Sequence, residues 1–390
     1  MQPWERNQYV MVATVFVVFA GFAFVLPFLP LYVQELGVAD EETAALWAGV
    51  LIGIAPLLAG LLAPVWGHLA DRHGQKAMAL RALGAYVILL VLSGFVHNVQ
   101  ELLATRVGIG LFGGIGPLGL AMATSLAPRE QTGRAVGLIQ GAQILAAAVG
   151  PFAGGALADT LGHRHTFLVA AVVCAAAFAL VAALYVEAPK AAPKQSATPI
   201  ASFGEMLRLP NLLSLLVVLF LVNFIGRSYA PILPSHLRSL GVSPARLAFS
   251  TGLLISVYSV AAAASAAALG RAAKDRPPRG LLIASLIGGA LTVLPMALVA
   301  SFGGLTLCAV LLGLASGGAL TLCYTIGGLS VPHESRTTAF GFFSAAALFG
   351  GAVSPSVAGL IAHWNLRGIY YLNAALFVVL AAAVALKRRA

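Results

Sequence analysis

Charge is what this 390-residue sequence has least of: Asp, Glu, Lys and Arg make up 9% of it, against 60% hydrophobic residues. Soluble globular chains carry roughly 25% charged residues, so this shortage excludes an ordinary soluble domain and makes a lipid bilayer the chain's first partner. Cysteine is scarce as well. Cys174, Cys308 and Cys323 each fall in an apolar run, with no C-x-x-C and no His cluster beside them, which argues against both a disulfide framework and a metal centre. The net charge of +10 comes without any basic cluster interleaved with aromatics, so it does not imply nucleic acid. There is no phosphate loop, nucleophile elbow or deep acid–base pair, so neither an enzyme nor a cofactor is indicated.

Long apolar runs fill the chain instead. A membrane-spanning helix needs about 20 apolar residues, and such runs lie near 9–33, 44–66, 77–96, 101–126, 135–158 and 164–186. Six more follow near 211–237, 247–269, 280–300, 304–330, 338–361 and 367–386, after a polar, proline- and lysine-bearing stretch. This predicts an all-α membrane protein of twelve spans in two six-helix bundles, residues 1–186 and 211–390, joined by a linker at 187–210. The N-terminus shows no cleavage pattern before the first run, which is read as a retained helix.

Lys and Arg set the orientation. Loops on one side carry Arg72, Lys76, Arg81, Arg129, Arg134, Lys190, Lys194, Arg208, Arg271, Lys274, Arg276, Arg279 and Arg336, together with both chain ends. The other side holds only Arg164, Arg238, Arg246 and Arg367. Basic loops stay in the cytoplasm, so both termini are expected inside.

The two halves repeat at an offset of 204 residues. Pro27-Phe28-Leu29-Pro30 returns as Pro231-Ile232-Leu233-Pro234, and Leu36-Gly37-Val38 as Leu240-Gly241-Val242. Asp71-Arg72 returns as Asp275-Arg276; Pro128, Glu130, Gly137 and Pro151 return as Pro332, Glu334, Gly341 and Pro355. Parallel halves related by an axis along the membrane normal are expected from such a repeat.

Three motifs stand on this frame. Gly67, Asp71, Arg72, Gly74 and Lys76 form a dense charged stretch, read as a loop at the membrane surface because such charge cannot sit in hydrocarbon. Gly137, Ala146, Gly150-Pro151 and Gly154-Gly155 mark the fifth span, where small residues permit close helix approach and proline bends the helix. The fourth span opens with Leu102, Arg106 and Gly110 at four-residue spacing. These stretches resemble the signatures of the major facilitator superfamily, in its branch of twelve-span bacterial drug:proton antiporters. Departures are Gln75, Ile109 and Ala146, where the family has a basic residue, glutamine and glycine.

The resemblance implies multidrug efflux by proton antiport across the bacterial inner membrane, with antibiotic resistance as its consequence and a monomer as its working form. It also implies that Asp71 latches the cytoplasmic gate against a helix N-terminus of the other half, with Asp275 and Arg276 as a weaker second copy. Arg106 is associated with proton handling in such exporters; the alternative is an arginine snorkelling from near its span end.

Ionisable residues within spans are functional candidates by default. Arg227 lies deep in the seventh span, one turn after Asn223, and is read as meeting an anionic or carbonyl-bearing group of the substrate; a structural arginine is the alternative. Phe22, Gln140, Gln143, Tyr229, Tyr258 and Tyr324 are the further polar and aromatic candidates for the cavity wall. None of the thirteen acids lies deep within a span. Proton coupling therefore falls to span-end acids such as Glu35, Glu101 or Asp159, or to the arginines. The runner-up function is export of a specific organic anion or sugar-like metabolite, with a non-transporting sensor as a remote third. Asp71→Asn is expected to impair transport in vesicles while expression stays largely intact; wild-type turnover would refute the latch.

Overall fold

The computed structural model describes residues 3–124, 131–187, 212–330 and 336–386. The expected linker, Pro128, Glu130, Pro332, Glu334 and the C-terminal basic residues lie outside the described residues, apart from Glu187 at the linker's start. Among the described residues, sixteen α-helical segments account for the expected spans. In order they are α1 Pro3–Val25, α2 Leu29–Glu35, α3 Glu41–His73, α4 Gln75–Phe95, α5 Val99–Phe112, α6 Ile115–Thr124, α7 Thr132–Leu161 and α8 His163–Leu184. The second half gives α9 Leu212–Arg227, α10 Leu233–Ser239, α11 Leu247–Ala272, α12 Pro278–Met296, α13 Phe302–Ser316, α14 Ala319–Ser330, α15 Arg336–Ala362 and α16 Gly368–Leu386.

Sixteen segments serve twelve spans because spans one, four, seven and ten are each broken. Pro27 interrupts span one between α1 and α2, and Pro231 interrupts span seven between α9 and α10. Proline donates no backbone hydrogen bond and disfavours helical conformation in the residue before it. Gly113-Gly114 divides α5 from α6, and Gly317-Gly318 divides α13 from α14. Gly114 turns there at φ 107°, a conformation that favours glycine. The breaks recur at the 204-residue offset, so the repeat extends to the interruptions themselves.

The charged stretch after the second span is not a loop, contrary to the sequence reading. Helix α3 runs on through Gly67 and Asp71 to His73, well past its apolar portion Glu41–Ala63. Only Gly74 stands between α3 and α4: its φ of 100° ends one helix, and its N–H donates to Ala70 O at 2.9 Å. Residues 67–73 are helix-compatible, and once beyond the hydrocarbon they can keep the helix going with their charges in water.

Packing differs between the two ends of the molecule. One large apolar core runs through both bundles, from Phe28, Tyr32 and Phe167 to Leu237, Leu247 and Phe377. A separate core, around Met11, Val15, Leu83, Met122, Ile139 and Tyr185, serves the N-terminal bundle alone. Short α2 is pinned into the first by Tyr32, whose hydroxyl donates to Ser93 O at 3.0 Å, and by Phe28 stacked on His163. Its last residue, Glu35, places Oε1 2.9 Å from His163 Nδ1.

The His163 contact holds the Glu35 carboxyl below its ordinary range, more than burial raises it. A depressed carboxylate contributes stability at pH values above its unfolded value and loses it as pH falls through the folded one. Glu35→Gln is therefore expected to lower the thermal midpoint at pH 7, with the gap to wild type closing as the medium is acidified. A constant gap across that titration would refute the contribution.

Candidate functional site

Glycines report how closely the bundles approach along four long helices. In the stretch near residues 45–55 of α3, the approach is as tight as backbones allow: a methyl on Gly49 would stand 2.1 Å from Pro355 O, and one on Gly53 2.1 Å from Ala352 O. From the other side, a methyl on Gly359 of α15 would stand 2.5 Å from Ala45 O. The second seam matches it. Methyls on Gly155 of α7 and Gly252 of α11 would fall 2.2 Å from Ala248 O and 2.0 Å from Pro151 O. Thus the carbonyls of the repeat-related Pro151 and Pro355 each face a glycine of the opposite bundle. Without a hydrophobic driving force between helices in lipid, such contact depends on side chains small enough to admit it.

Farther along the same helices the contact is gone. Gly60 and Gly67 on α3, Gly137 and Gly141 on α7, and Gly341 on α15 have nothing within 4 Å of an added methyl. The bundles are therefore joined at one end and parted at the other. Polar contacts tie the joined end: Arg238 pairs with Glu41 and donates to Gln34 Oε1 at 3.2 Å. Asp159 accepts from the backbone N–H of Phe249 at 2.8 Å and of Ala248 at 3.3 Å. Ser256 Oγ accepts the Phe152 N–H at 3.0 Å.

These distances account for the glycine motif of α7. Gly150 and Gly154 pack against Ala20, Ala23 and Phe24 of α1, whereas Pro151 and Gly155 meet α11. Ala146 is fully buried. Gly137, at the far end of the motif, sits beside open space. One side of α7 thus holds its own bundle together while the adjacent side closes on the other bundle.

Arg227 is the last residue of α9, at the break in the seventh span, where unpaired helix carbonyls favour a cation. Its side chain is exposed, with no hydrogen-bond or ion-pair partner among the described residues. Gly351 makes room for it: a methyl there would stand 3.3 Å from Arg227 Cγ. A methyl on the neighbouring Gly226 would stand 3.6 Å from Tyr258 Oη, which places Tyr258 beside this break. Asn223, half-buried one turn earlier, spends its amide on Leu219 O at 3.3 Å.

Arg106 sits elsewhere and does not snorkel. It is 3% exposed inside the N-terminal bundle, with its guanidinium 5.3 Å from the Phe167 ring centroid. Its Nε and Nη2 have no hydrogen-bond partner among the described residues. Beside it lies a cavity of about 20 Å³, lined by Phe22, Gly21, Tyr86 and Cys174, large enough for one water molecule. The structure thus joins Arg106 with Phe22 and, separately, Arg227 with Tyr258.

The other sequence candidates divide by position. Gln140 is exposed and Gln143 half-buried on α7. Tyr229 is buried, its ring stacked 5.7 Å from that of Tyr370, inside the C-terminal bundle. Tyr324 is half-buried edge-on to Phe343. Of the charged motif, Lys76 donates from Nζ to Tyr185 O at 2.8 Å, and its N–H meets Glu187 Oε1 at 3.3 Å. Tyr185 belongs to the same bundle, and Glu187 follows it at the linker's start. Asp71 lies within α3, but its side chain falls outside the described residues. Asp275 and Arg276 are exposed, without a side-chain partner among the described residues.

Of the seam residues, Arg238, Gly49 and Gly252 were missing from the sequence candidates, whereas Asp159 was among the span-end acids considered for proton coupling. Gly49 and Gly252 could have been found as glycines on the repeat-related second and eighth spans.

Comparison with known proteins follows this geometry. The sequence matches the family model of the Major Facilitator Superfamily over residues 11–302 and again over 215–390. A multidrug resistance protein MdtG of Dickeya zeae is 33% identical over 383 residues, covering 96% of this chain and 93% of its own. The MdtG of Escherichia fergusonii is 35% identical over 311 residues, covering 80% of this chain and 76% of its own. Among solved structures, a bacterial homolog of the human lysosomal transporter Spinster superposes with a TM-score of 0.83 at 17% identity, covering 99% of this chain and 97% of its own. The human organic anion transporter MFSD10 gives 0.68 at 18% identity, covering 98% and 100%.

The seam distances make a paired prediction. Gly155→Ala drives a methyl into the Ala248 carbonyl and is expected to cost about 1–3 kcal/mol of seam packing, holding the joined end apart and lowering transport severalfold at normal expression. Gly141→Ala meets open space and is expected to transport as wild type. Equal activities for the two variants would refute the seam.

Proposed function

Since this chain belongs to the major facilitator superfamily, we propose that it exports drugs or other amphiphilic small molecules by alternating access of its two bundles, driven by inward proton flow. The observation that carries the reading is the asymmetry of the seams: glycine-to-carbonyl contact at one end of α3, α7, α11 and α15, and open space beside the glycines at the other end of α3, α7 and α15. That is one of the two states a rocking transporter must visit. The multidrug resistance proteins covered nearly end to end supply the substrate class.

Orientation follows from the basic loops. Arg72, Lys76, Arg81 and Arg134 lie toward the parted end, so that end faces the cytoplasm and the joined end faces outward. Both termini are then cytoplasmic, and the state is inward-open, ready to take substrate from the cell. The Asp71 latch belongs to the opposite, outward-open state, in keeping with Lys76 bonding within its own bundle here. Residues 1–186 and 211–390 move as the two units, working as a monomer.

Substrate is met between the bundles, where Arg227 and Tyr258 supply a cation and a phenol; Gln140 and Gln143 supply amides from the facing bundle. Arg106, enclosed over Phe167, is kept from substrate and is a candidate for proton handling inside its own bundle. The gating latch is assigned to Gly67, Asp71, Arg72, Gly74 and Lys76, with Asp275 and Arg276 as its repeat. An organic-anion exporter is the second reading, favoured by one observation: the side chain of Arg227 is exposed and has no carboxylate partner among the described residues. An unpaired cation in low dielectric attracts anions and repels other cations.

Purified protein in liposomes acidic inside tests both readings, following uptake of lipophilic cations, neutral compounds and anions with and without a protonophore. Gradient-dependent movement of several unrelated compounds is the expected result. Movement of anions alone, lost in Arg227→Ala, would replace the drug reading by the anion one.

A further inference from the structure

The joined end holds a relation between its two seams that transport alone does not require. Asp159 ends the contact stretch of α7, and His363 follows α15; they differ by 204, the repeat offset. Each faces the first turn of a helix in the other bundle. Asp159 accepts the Ala248 and Phe249 N–H groups that begin α11. His363 Nδ1 lies 3.8 Å from Glu42 Oε2, in the first turn of α3, and near Asp40, the N-cap of that helix. The contact is the same in place and opposite in sign. One seam sets an acid against bare helix amides, and the other sets an imidazole against acids.

We propose that Asp159 and His363 are a pair of pH-responsive clasps on the outer gate, the first holding when ionised and the second when protonated. An ionised Asp159 accepts two backbone donors at the positive end of α11, and protonation removes that charge. A protonated His363 faces Glu42 and Asp40, and deprotonation removes the attraction. Falling pH therefore loosens the α7–α11 seam, and rising pH loosens the α3–α15 seam.

Other charges border both clasps. Around Asp159 stand His163, itself 2.9 Å from Glu35, and Arg246 at the N-cap of α11. Around His363 stand Glu42 and Asp40, the latter with Oδ2 committed to Thr43 N–H at 2.7 Å. Arg367 follows four residues on, and Arg238 with Glu41 forms the adjacent bridge.

The inference rests on the orientation proposed above for the word "outer", and not on proton coupling. Its test is independent of both, because in lipid nanodiscs each face meets the same pH. In a variant lacking Cys174, Cys308 and Cys323, spin labels at Thr160→Cys and Ser243→Cys report one seam. Labels at Ala39→Cys and Trp364→Cys report the other. Distances measured between about pH 3 and pH 8.5 are expected to lengthen for the first pair on acidification and for the second pair on alkalinisation. Asp159→Asn is expected to raise the open population of the first seam about tenfold at pH 6 and abolish its acid response. His363→Gln is expected to abolish the alkaline response of the second seam while leaving the first unchanged. Wild-type distances flat across this range, or an Asp159→Asn profile like wild type, would overturn the proposal. The wild-type titration decides even where a variant fails to accumulate.

Discussion

Everything in this molecule depends on backbones of opposite bundles touching where glycine leaves room. Pro151 O against Gly252 and Pro355 O against Gly49 are the centres of the two seams. In lipid, helices gain little from hiding apolar surface from one another, so a seam must hold through close packing and a few polar contacts. Glycine on one side and a proline carbonyl on the other provide the packing. Asp159, Arg238 and Ser256 provide the polar contacts, all at or near one end. A seam confined to one end can release without unpacking either bundle, since each keeps contacts of its own. Those private contacts include Gly150 and Gly154 against α1, and the Met11–Leu83–Ile139 core.

The broken spans belong to the same design. Spans one, four, seven and ten are interrupted by Pro27, Gly113-Gly114, Pro231 and Gly317-Gly318, and Arg227 stands at one such break. Non-helical backbone at membrane depth is tolerated where protein or water satisfies it. Arg227 avoids enclosure, since its side chain is exposed at the break with no hydrogen-bond partner among the described residues. Arg106 finds a different solution, the face of Phe167. Two arginines that look alike in the sequence are thus set apart: one exposed at a helix break, one enclosed within a bundle.

Much of the architecture was legible beforehand. Apolar run lengths marked all twelve spans, and the 204-residue repeat paired the halves down to Pro27 with Pro231. The α7 glycines were legible as packing residues, though not which neighbour each would meet. The charged stretch at Gly67–Lys76 was misread as a loop because charge density locates a segment at the membrane surface without distinguishing a loop from a protruding helix. Gly74 alone turns the chain there. Tyr229 was grouped with the cavity candidates, yet it stacks on Tyr370 inside its bundle, since polarity and aromaticity do not specify the face of a helix on which a residue falls.

Composition and periodicity by themselves determined that the chain crosses the membrane twelve times, in two related halves, with its basic loops on one side. They could do so because insertion into lipid is decided span by span, from each segment's own transfer energy and flanking charge. Tertiary structure decided which end is closed, that Asp159 meets α11 while its repeat mate His363 meets α3, and that Arg227 rather than Arg106 stands exposed. Those facts depend on the approach of segments more than a hundred residues apart, and a difference of one side chain's width between seams is invisible to any local pattern.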